Sequence, residues 1–328
     1  MTQSLNVSVL DRLEPLEIAA VNIDELVPDS VSITLDVAML DRCSILSGNK
    51  YFKLKYNLVH ALEQGCRTVI SFGGAYSNHI HALAIAGAAL GLHTVGVIRG
   101  EIIRPLNTTL ADAEANGMTL VSVSRQQYRE KDESEFLRQL RVRWPNAYLI
   151  PEGGGNRLGI QGCRDIVNLL GVDVLGRYDM MALPCGTGAT LAGLSMAVPD
   201  SVTVKGFSVL KNAGALERDV RRFRDMFNYN GPENWSVCHD YHMGGYARVT
   251  TGLMSVIDTF TALTSIPVEP VYTGKMVFGL ISEIRQQHIP PGTRILALHT
   301  GGLQGGRSGI GEIQRQNNDE LITEVRNG

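Results

Sequence analysis

Short apolar runs and helix-spaced apolar positions alternate along most of this 328-residue chain. Leu54, Leu58 and Leu62 recur every four residues, which is one face of a helix, and Gly65 ends it. Residues 68–72 read as a buried strand, Gly73 and Gly74 follow, and the pattern predicts a helix from about Asn78 to Leu90 closed by Gly91. Strands at 94–98, 118–123 and 148–150 then alternate with helices at 106–116 and 132–143. Residues 151–156, with three consecutive glycines, interrupt the rhythm and read as a hinge between lobes. Beyond it come a helix at 160–170, a strand at 180–183, a glycine loop at 184–190 leading into a helix through Ala197, a strand at 202–209 and a charged helix to Phe227. Residues 228–250 read as irregular; helices at 253–263 and 275–287 and a strand at 294–298 close the pattern. Before all this, residues 1–46 carry short apolar runs such as 31–35 broken by Pro15 and Pro28, and the polar tail from Gln314 is expected to fray. Strand and helix in strict succession imply a parallel α/β architecture.

Composition narrows the function classes. Hydrophobic residues make up 44% and charged residues 19%, a globular balance, and a net charge of -3 argues against nucleic acid or an anionic membrane as partner. The richest basic run, 218–224, is interleaved with Asp219 and followed by Asp225, as on a solvated helix face. No apolar stretch approaches the roughly 20 residues that span a bilayer, and the first eleven residues lack both a cationic start and an apolar run, so a cytoplasmic protein is expected. Cys43, Cys66, Cys163, Cys185 and Cys238 are scattered without a CxxC pair, which suggests reduced thiols. His239 and His242 are close in sequence but lack further ligands, and no metal is expected.

Four stretches carry candidate chemistry. Lys50, after Ser47-Gly48-Asn49, sits at the mouth of the first long helix, where partial burial would favour its neutral, nucleophilic amine; a solvated lysine is the plainer reading. The loop Cys185-Gly186-Thr187-Gly188-Ala189-Thr190 lies between a strand and a helix, where backbone amides turned inward cradle an anion. It lacks the lysine of a nucleoside-triphosphate loop, and Leu191 stands where a dinucleotide fingerprint has its third glycine, so a single phosphate suits it better than a nucleotide. Ser77 and Asn78, after Gly73-Gly74, can cap a helix and also face a ligand outside the strand ends; one of His79 and His81 could face the same place. Tyr246 and Tyr272 could act as acid or base were a nearby cation to lower their pKa values, or could be ordinary tyrosines with wet tips.

Taken in order, Ser-Gly-Asn-Lys, Gly-Gly-x-x-Ser-Asn-His, Pro-Glu-Gly-Gly, Cys-Gly-Thr-Gly, Pro-Val-Tyr-Thr-Gly-Lys and His-Thr-Gly-Gly resemble the 1-aminocyclopropane-1-carboxylate deaminase/D-cysteine desulfhydrase family from about Leu40 to Gly306. The resemblance implies a fold-type-II pyridoxal-phosphate enzyme, two open, mostly parallel twisted sheets flanked by helices, with the cofactor in the cleft between lobes. A small domain at 54–155 would be inserted into a larger one made of 1–53 and 156–328. It further implies that Lys50 forms the Schiff base, that residues 185–190 hold the phosphate, and that Asn78 lies beside the pyridine ring. Ser77 would face the substrate carboxylate or the reacting proton, Thr300 the pyridine nitrogen, and Tyr272 and Tyr246 would be the active-site tyrosines. The implied activity is a lyase or deaminase on a small amino acid, giving a 2-oxo acid and ammonia, in a homodimer. Cyclopropane deamination, racemisation, β-replacement and a catalytically silent phosphate-binding protein stand as alternatives.

Several positions depart from the family pattern. Thr273 and Thr300 replace the Glu and Leu of the cyclopropane deaminases and look like the desulfhydrase side. Phe52 and His81 stand where arginines are common, and the Lys-Arg-Asp-Asp stretch expected upstream is missing around residues 37–42. These changes suggest a crevice stripped of cations, which would disfavour D-cysteine itself.

Overall fold

The computed structural model describes residues 10, 12–28, 32–44, 46, 48–211 and 214–303. Ser47, the polar tail and the motif's end at Gly306 lie outside them. Two sheets organise the chain. The smaller is entirely parallel, in the order β5-β4-β3-β6: β3 (Thr68–Gly73), β4 (His93–Arg99), β5 (Thr119–Val123) and β6 (Tyr148–Leu149). The helices that return the chain between them are α2 (Asn78–Leu90), α3 (Thr108–Ala115), α4 (Arg125–Arg129) and α5 (Ser134–Arg143). β3 and β4 read as continuous apolar runs because parallel strands are covered on both faces; Val69, Ile70, Val95 and Val97 are fully buried.

The larger sheet has six strands in the order β1-β2-β10-β7-β8-β9. β1 (Ile18–Val21) pairs antiparallel with β2 (Thr34–Met39), and the rest run parallel: β7 (Met180–Cys185), β8 (Thr203–Ser208), β9 (Trp235–Cys238) and β10 (Arg294–His299). Its helices are α1 (Asn49–Glu63), α6 (Arg157–Leu170), α7 (Val172–Leu175), α8 (Ala189–Ser195), α9 (Ala215–Asp225), α10 (Thr251–Thr264) and α11 (Thr273–Arg285). β10 is inserted between β2 and β7, so the turn that follows it lands beside the first long helix. That landing is tight: a Cβ at Gly48, whose φ is +71°, would lie 2.0 Å from the carbonyl oxygen of Thr300. α1 and α6 approach as closely, since a Cβ at Gly162 would lie 1.7 Å from the carbonyl of Phe52.

Several expectations need correction. Residues 1–46 contain the β1–β2 pair, and β9 falls inside the segment read as irregular; β1 and β9 have four residues each, too few for a period-two pattern to stand out. α4 is a five-residue helix with a capping box at Ser124 and Gln127, too short for a periodic pattern. Lys50 is inside the first turn of α1 rather than before it. The basic run on α9 is not wholly solvated, because Arg224 is 3% exposed and its guanidinium donates to Ser195 Oγ at 3.1 Å and the Pro232 carbonyl at 2.8 Å.

Candidate active site

Five parallel strands point their carboxyl ends at one cavity of about 280 Å³. Gly74 follows β3, Arg99 ends β4, Cys185 ends β7, Ser208 ends β8 and Thr300 follows β10, and all five line it. The crevice outside such ends is where open α/β sheets bind ligands, because loops there are free to vary while the sheet holds them in place.

Lys50 reaches this cavity from the start of α1. The Asn49 amide N–H donates to the Thr300 carbonyl at 3.3 Å, fixing the helix start on the end of β10. The buried Asn49 side chain donates to Thr190 Oγ1 at 2.9 Å and accepts from Lys50 Nζ at 2.6 Å. Burial, with Lys53 adding repulsion, pushes the Lys50 ammonium down to about 7. Lys53, one turn further along, is 5% exposed, lines the same cavity and is also driven down by burial. Among the described residues neither lysine has a carboxylate within 4.0 Å.

Opposite them runs the glycine loop. Cys185, Gly186, Thr187, Gly188 and Thr190 line the cavity, and Gly188, at φ +79°, leads into α8. The Thr187 hydroxyl is buried with no partner among the described residues. A lone buried hydroxyl and a lone buried ammonium around turned-in glycines fit a bound phosphate, which would answer both. Ala189 is buried and does not line the cavity, whereas Thr190 lines it with a hydroxyl oxygen that accepts from the Asn49 amide. The Cys185 thiol is pushed up to about 12 by burial and packs rather than reacts.

The start of α2 forms a third side. Ser77 caps it, accepting from the Ile80 N–H at 3.3 Å, and Ser77, Asn78 and His79 all line the cavity. His79 is the histidine that faces in. Its Nε2 sits 2.9 Å from Ser71 Oγ, and burial beside Lys50 and Lys53 pushes it down to about 3, so it is neutral. His81 instead pairs with Asp112 at 3.1 Å. Phe52 is 2% exposed in the main core beside Tyr51, away from the cavity. The crevice is therefore not stripped of cations: Lys50, Lys53 and Arg99 all line it.

The fourth side is a pair of tyrosines, their ring centroids 6.0 Å apart and nearly perpendicular. Tyr246 donates to the Tyr76 carbonyl at 3.1 Å, and Lys50 Nζ lies 5.9 Å from the centre of the Tyr272 ring. Arg99 pulls Tyr246 down, but burial outweighs it. Burial raises Tyr246 to about 12 and Tyr272 well above its ordinary value, so both stay protonated. Behind them sit two buried ionisable groups that sequence reading did not single out as functional, Glu269, which burial pushes up, and Lys275. One oxygen of Glu269 accepts from Val271 N–H at 2.7 Å; the other accepts from the N–H groups of Tyr272 and Thr273 at 2.8 and 2.7 Å. Thr273 adds its hydroxyl at 3.2 Å, wholly buried and turned away from the cavity. Lys275 donates to the carbonyls of His242 and Gly245 at 2.9 and 2.7 Å, holding the turn that carries Tyr246.

Residues 38–301 match the family model described as pyridoxal-phosphate dependent enzyme. A bifunctional D-cysteine desulfhydrase/1-aminocyclopropane-1-carboxylate deaminase of Arabidopsis thaliana is 30% identical, covering 79% of this chain and 70% of that protein. A D-cysteine desulfhydrase of Salmonella newport is 29% identical, covering 78% and 83%. Among solved structures, that of an ACC deaminase homologue superposes with a TM-score of 0.78 at 24% identity, over 92% of this chain and 96% of that one.

Proposed function

The chain belongs to the pyridoxal-phosphate dependent enzymes, as a lyase or deaminase whose cofactor is pyridoxal phosphate, and from that premise we propose a β-elimination on a small amino acid. With cysteine, one water is consumed and a 2-oxo acid, ammonia and sulfide are released. The observation that carries this reading is an amine and a phenol on one cavity: Lys50, lowered to about 7 so that much of it is free amine near pH 7, and Tyr272, which keeps its proton there. Lys50 Nζ would join the cofactor's aldehyde, Lys53 and the loop 185–188 would hold its phosphate, Asn78 would flank its ring and Thr300 would meet the ring nitrogen. Bound there, the cofactor supplies the electron sink for a carbanion at the substrate's α-carbon.

The chain's own residues do the rest. Ser77 and the amides opening α2, a helix of 13 residues, suit the substrate carboxylate. Lys50, once released, is basic enough near pH 7 to take the α-proton yet not permanently charged. Tyr272 is a strong phenolic donor only to a partner that gains basicity as it departs, which describes a leaving thiolate. Where the cyclopropane deaminases have Glu, Thr273 gives its hydroxyl to Glu269 behind the cavity. Thr300 offers a neutral hydroxyl, which suits expulsion of a β-substituent better than opening of a strained ring.

The test is the visible spectrum of the purified protein beside Lys50→Ala, followed by D-cysteine, L-cysteine, D-serine and the cyclopropane amino acid in the same cuvette. We expect a cofactor band that borohydride bleaches, lost in the variant, and 2-oxo acid from a β-substituted substrate without added nucleophile. Absence of the band after adding pyridoxal phosphate overturns the assignment of Lys50. Rapid 2-oxo acid and sulfide release by Tyr272→Phe overturns the role given to that hydroxyl.

A further inference from the structure

Arg99 is a cation in this cavity for which the reaction just described has no use. It ends β4, one strand over from the Gly73-Gly74 turn, and its Nη2 would lie 3.5 Å from a Cβ at Gly74. The guanidinium thus lies over the turn that leads to Ser77, at the exposed mouth of the cavity. Other charges lining that mouth are already engaged. Glu152 is met by Lys131 at 3.6 Å, and Asp219 by Arg222 at 3.0 Å. Arginines elsewhere are likewise paired, Arg104 with Glu114 and Arg294 with Asp179, both at 2.7 Å. Among the described residues Arg99 has no carboxylate within 4.0 Å.

What Arg99 has is a platform. Its guanidinium carbon sits 5.6 Å from the centre of the Tyr128 ring, which is 4% exposed and also carries Lys131 Nζ at 5.5 Å. Stacking fixes the plane of a guanidinium without consuming its N–H donors, so the fork remains available to an oxyanion. The second cation on the same ring, Lys131, is already met by Asp132 at 3.1 Å and Glu152 at 3.6 Å, so among the described residues Arg99 is the cation on this ring that keeps its charge for a ligand. A phosphate at Lys53 and a carboxylate at the start of α2 would account for the other anion positions.

We propose that Arg99 receives a second negatively charged group on the substrate, so that the pocket selects a small amino acid whose side chain ends in a carboxylate or sulfonate. This assignment rests on the lyase reading for its cofactor and its α-carboxylate position. A planar fork gives such a group two parallel hydrogen bonds, which a neutral side chain cannot use.

The experiment titrates the cofactor-loaded protein with both enantiomers of S-carboxymethylcysteine and cysteine-S-sulfonate, and of S-methylcysteine and serine. It follows the shift of the visible band for affinity and 2-oxo acid for turnover. Wild type should prefer the anionic members by about tenfold or more, and Arg99→Gln should lower the anionic-to-neutral affinity ratio by about tenfold, with Arg99→Lys in between. Equal affinity for the two classes in wild type, an unchanged ratio in Arg99→Gln, or no band shift with any of them overturns the proposal. Selective binding of the anionic members without 2-oxo acid leaves Arg99 assigned and overturns the elimination instead.

Discussion

Lys275 is buried and Lys50 partly so, and their surroundings differ in kind. Lys275 gives two hydrogen bonds to backbone carbonyls and feels Glu269 nearby, and its ammonium is lowered only to about 8. Glu269 in turn is met by three backbone amides and a hydroxyl. That wall is satisfied by the chain itself. Lys50 has one neutral amide oxygen, Lys53 has a like charge three residues away, and Thr187 on the same cavity keeps a buried hydroxyl without a partner among the described residues. The difference teaches where the ligand's own groups are needed. Polar atoms left unanswered in a folded interior cost free energy until something binds, and among the described residues Thr187 and, at the start of α2, His79 Nδ1 bring such atoms to the cavity, whereas Glu269 and Lys275 bring none.

The largest effect should come from breaking the satisfied wall. In Glu269→Gln an NH2 replaces one acceptor and must face a backbone N–H, which leaves two buried donors unpaired. Unfolding in denaturant should report a loss of about 3 kcal/mol, the cost of those unpaired groups. The cofactor band should survive, because none of the lost bonds belongs to the lysine side. A variant as stable as wild type would show that this wall is not held by its carboxylate.

Acidity sharpens the same contrast. In the unfolded chain Lys50 binds its proton up to an ordinary value of 10.5, but in the fold only up to about 7. Between those values the unfolded state carries more protons, so the stability of the cofactor-free protein should rise with pH. Below about 7 both states are protonated and the penalty is fully present. From pH 7 to 9 the gain should be about 2 kcal/mol relative to Lys50→Met, a comparison that cancels other titrating groups. A difference that stays flat over this window would mean that Lys50 is not held in a desolvating site.

Much of this was legible in the chain. α2 begins at Asn78 and ends at Leu90 because Ser77 caps it and Gly91, at φ +67°, stops it, both local devices that sequence displays. The residues that line the cavity as expected sit in strand-to-helix turns, where glycines announce themselves. What escaped notice depends on contacts across the fold. Lys53 reads as one more charge on an amphipathic helix until α6 closes over α1 at Gly162. Arg99 is an ordinary strand-end arginine until β3 and β4 bring it over Gly74. Phe52, by contrast, was given weight as a missing cation, but a one-residue step along α1 turns it from the cavity into the core.

The smallest expected effect tests the unsatisfied side directly. Lys53→Met keeps the length and apolar stem of the side chain while removing the ammonium. In the cofactor-free protein this removes a desolvated charge and its repulsion of Lys50, so stability near pH 7 should not fall and the Lys50 amine should titrate higher. In the loaded protein the phosphate loses one charge-assisted hydrogen bond, part of which is offset by the desolvation no longer suffered. Cofactor affinity, followed by the visible band, should therefore weaken by only about tenfold, or about 1.4 kcal/mol. The two signs together carry the argument. A wall built for its own stability would lose stability with its cation, whereas a wall built for an anion keeps its stability and loses the ligand.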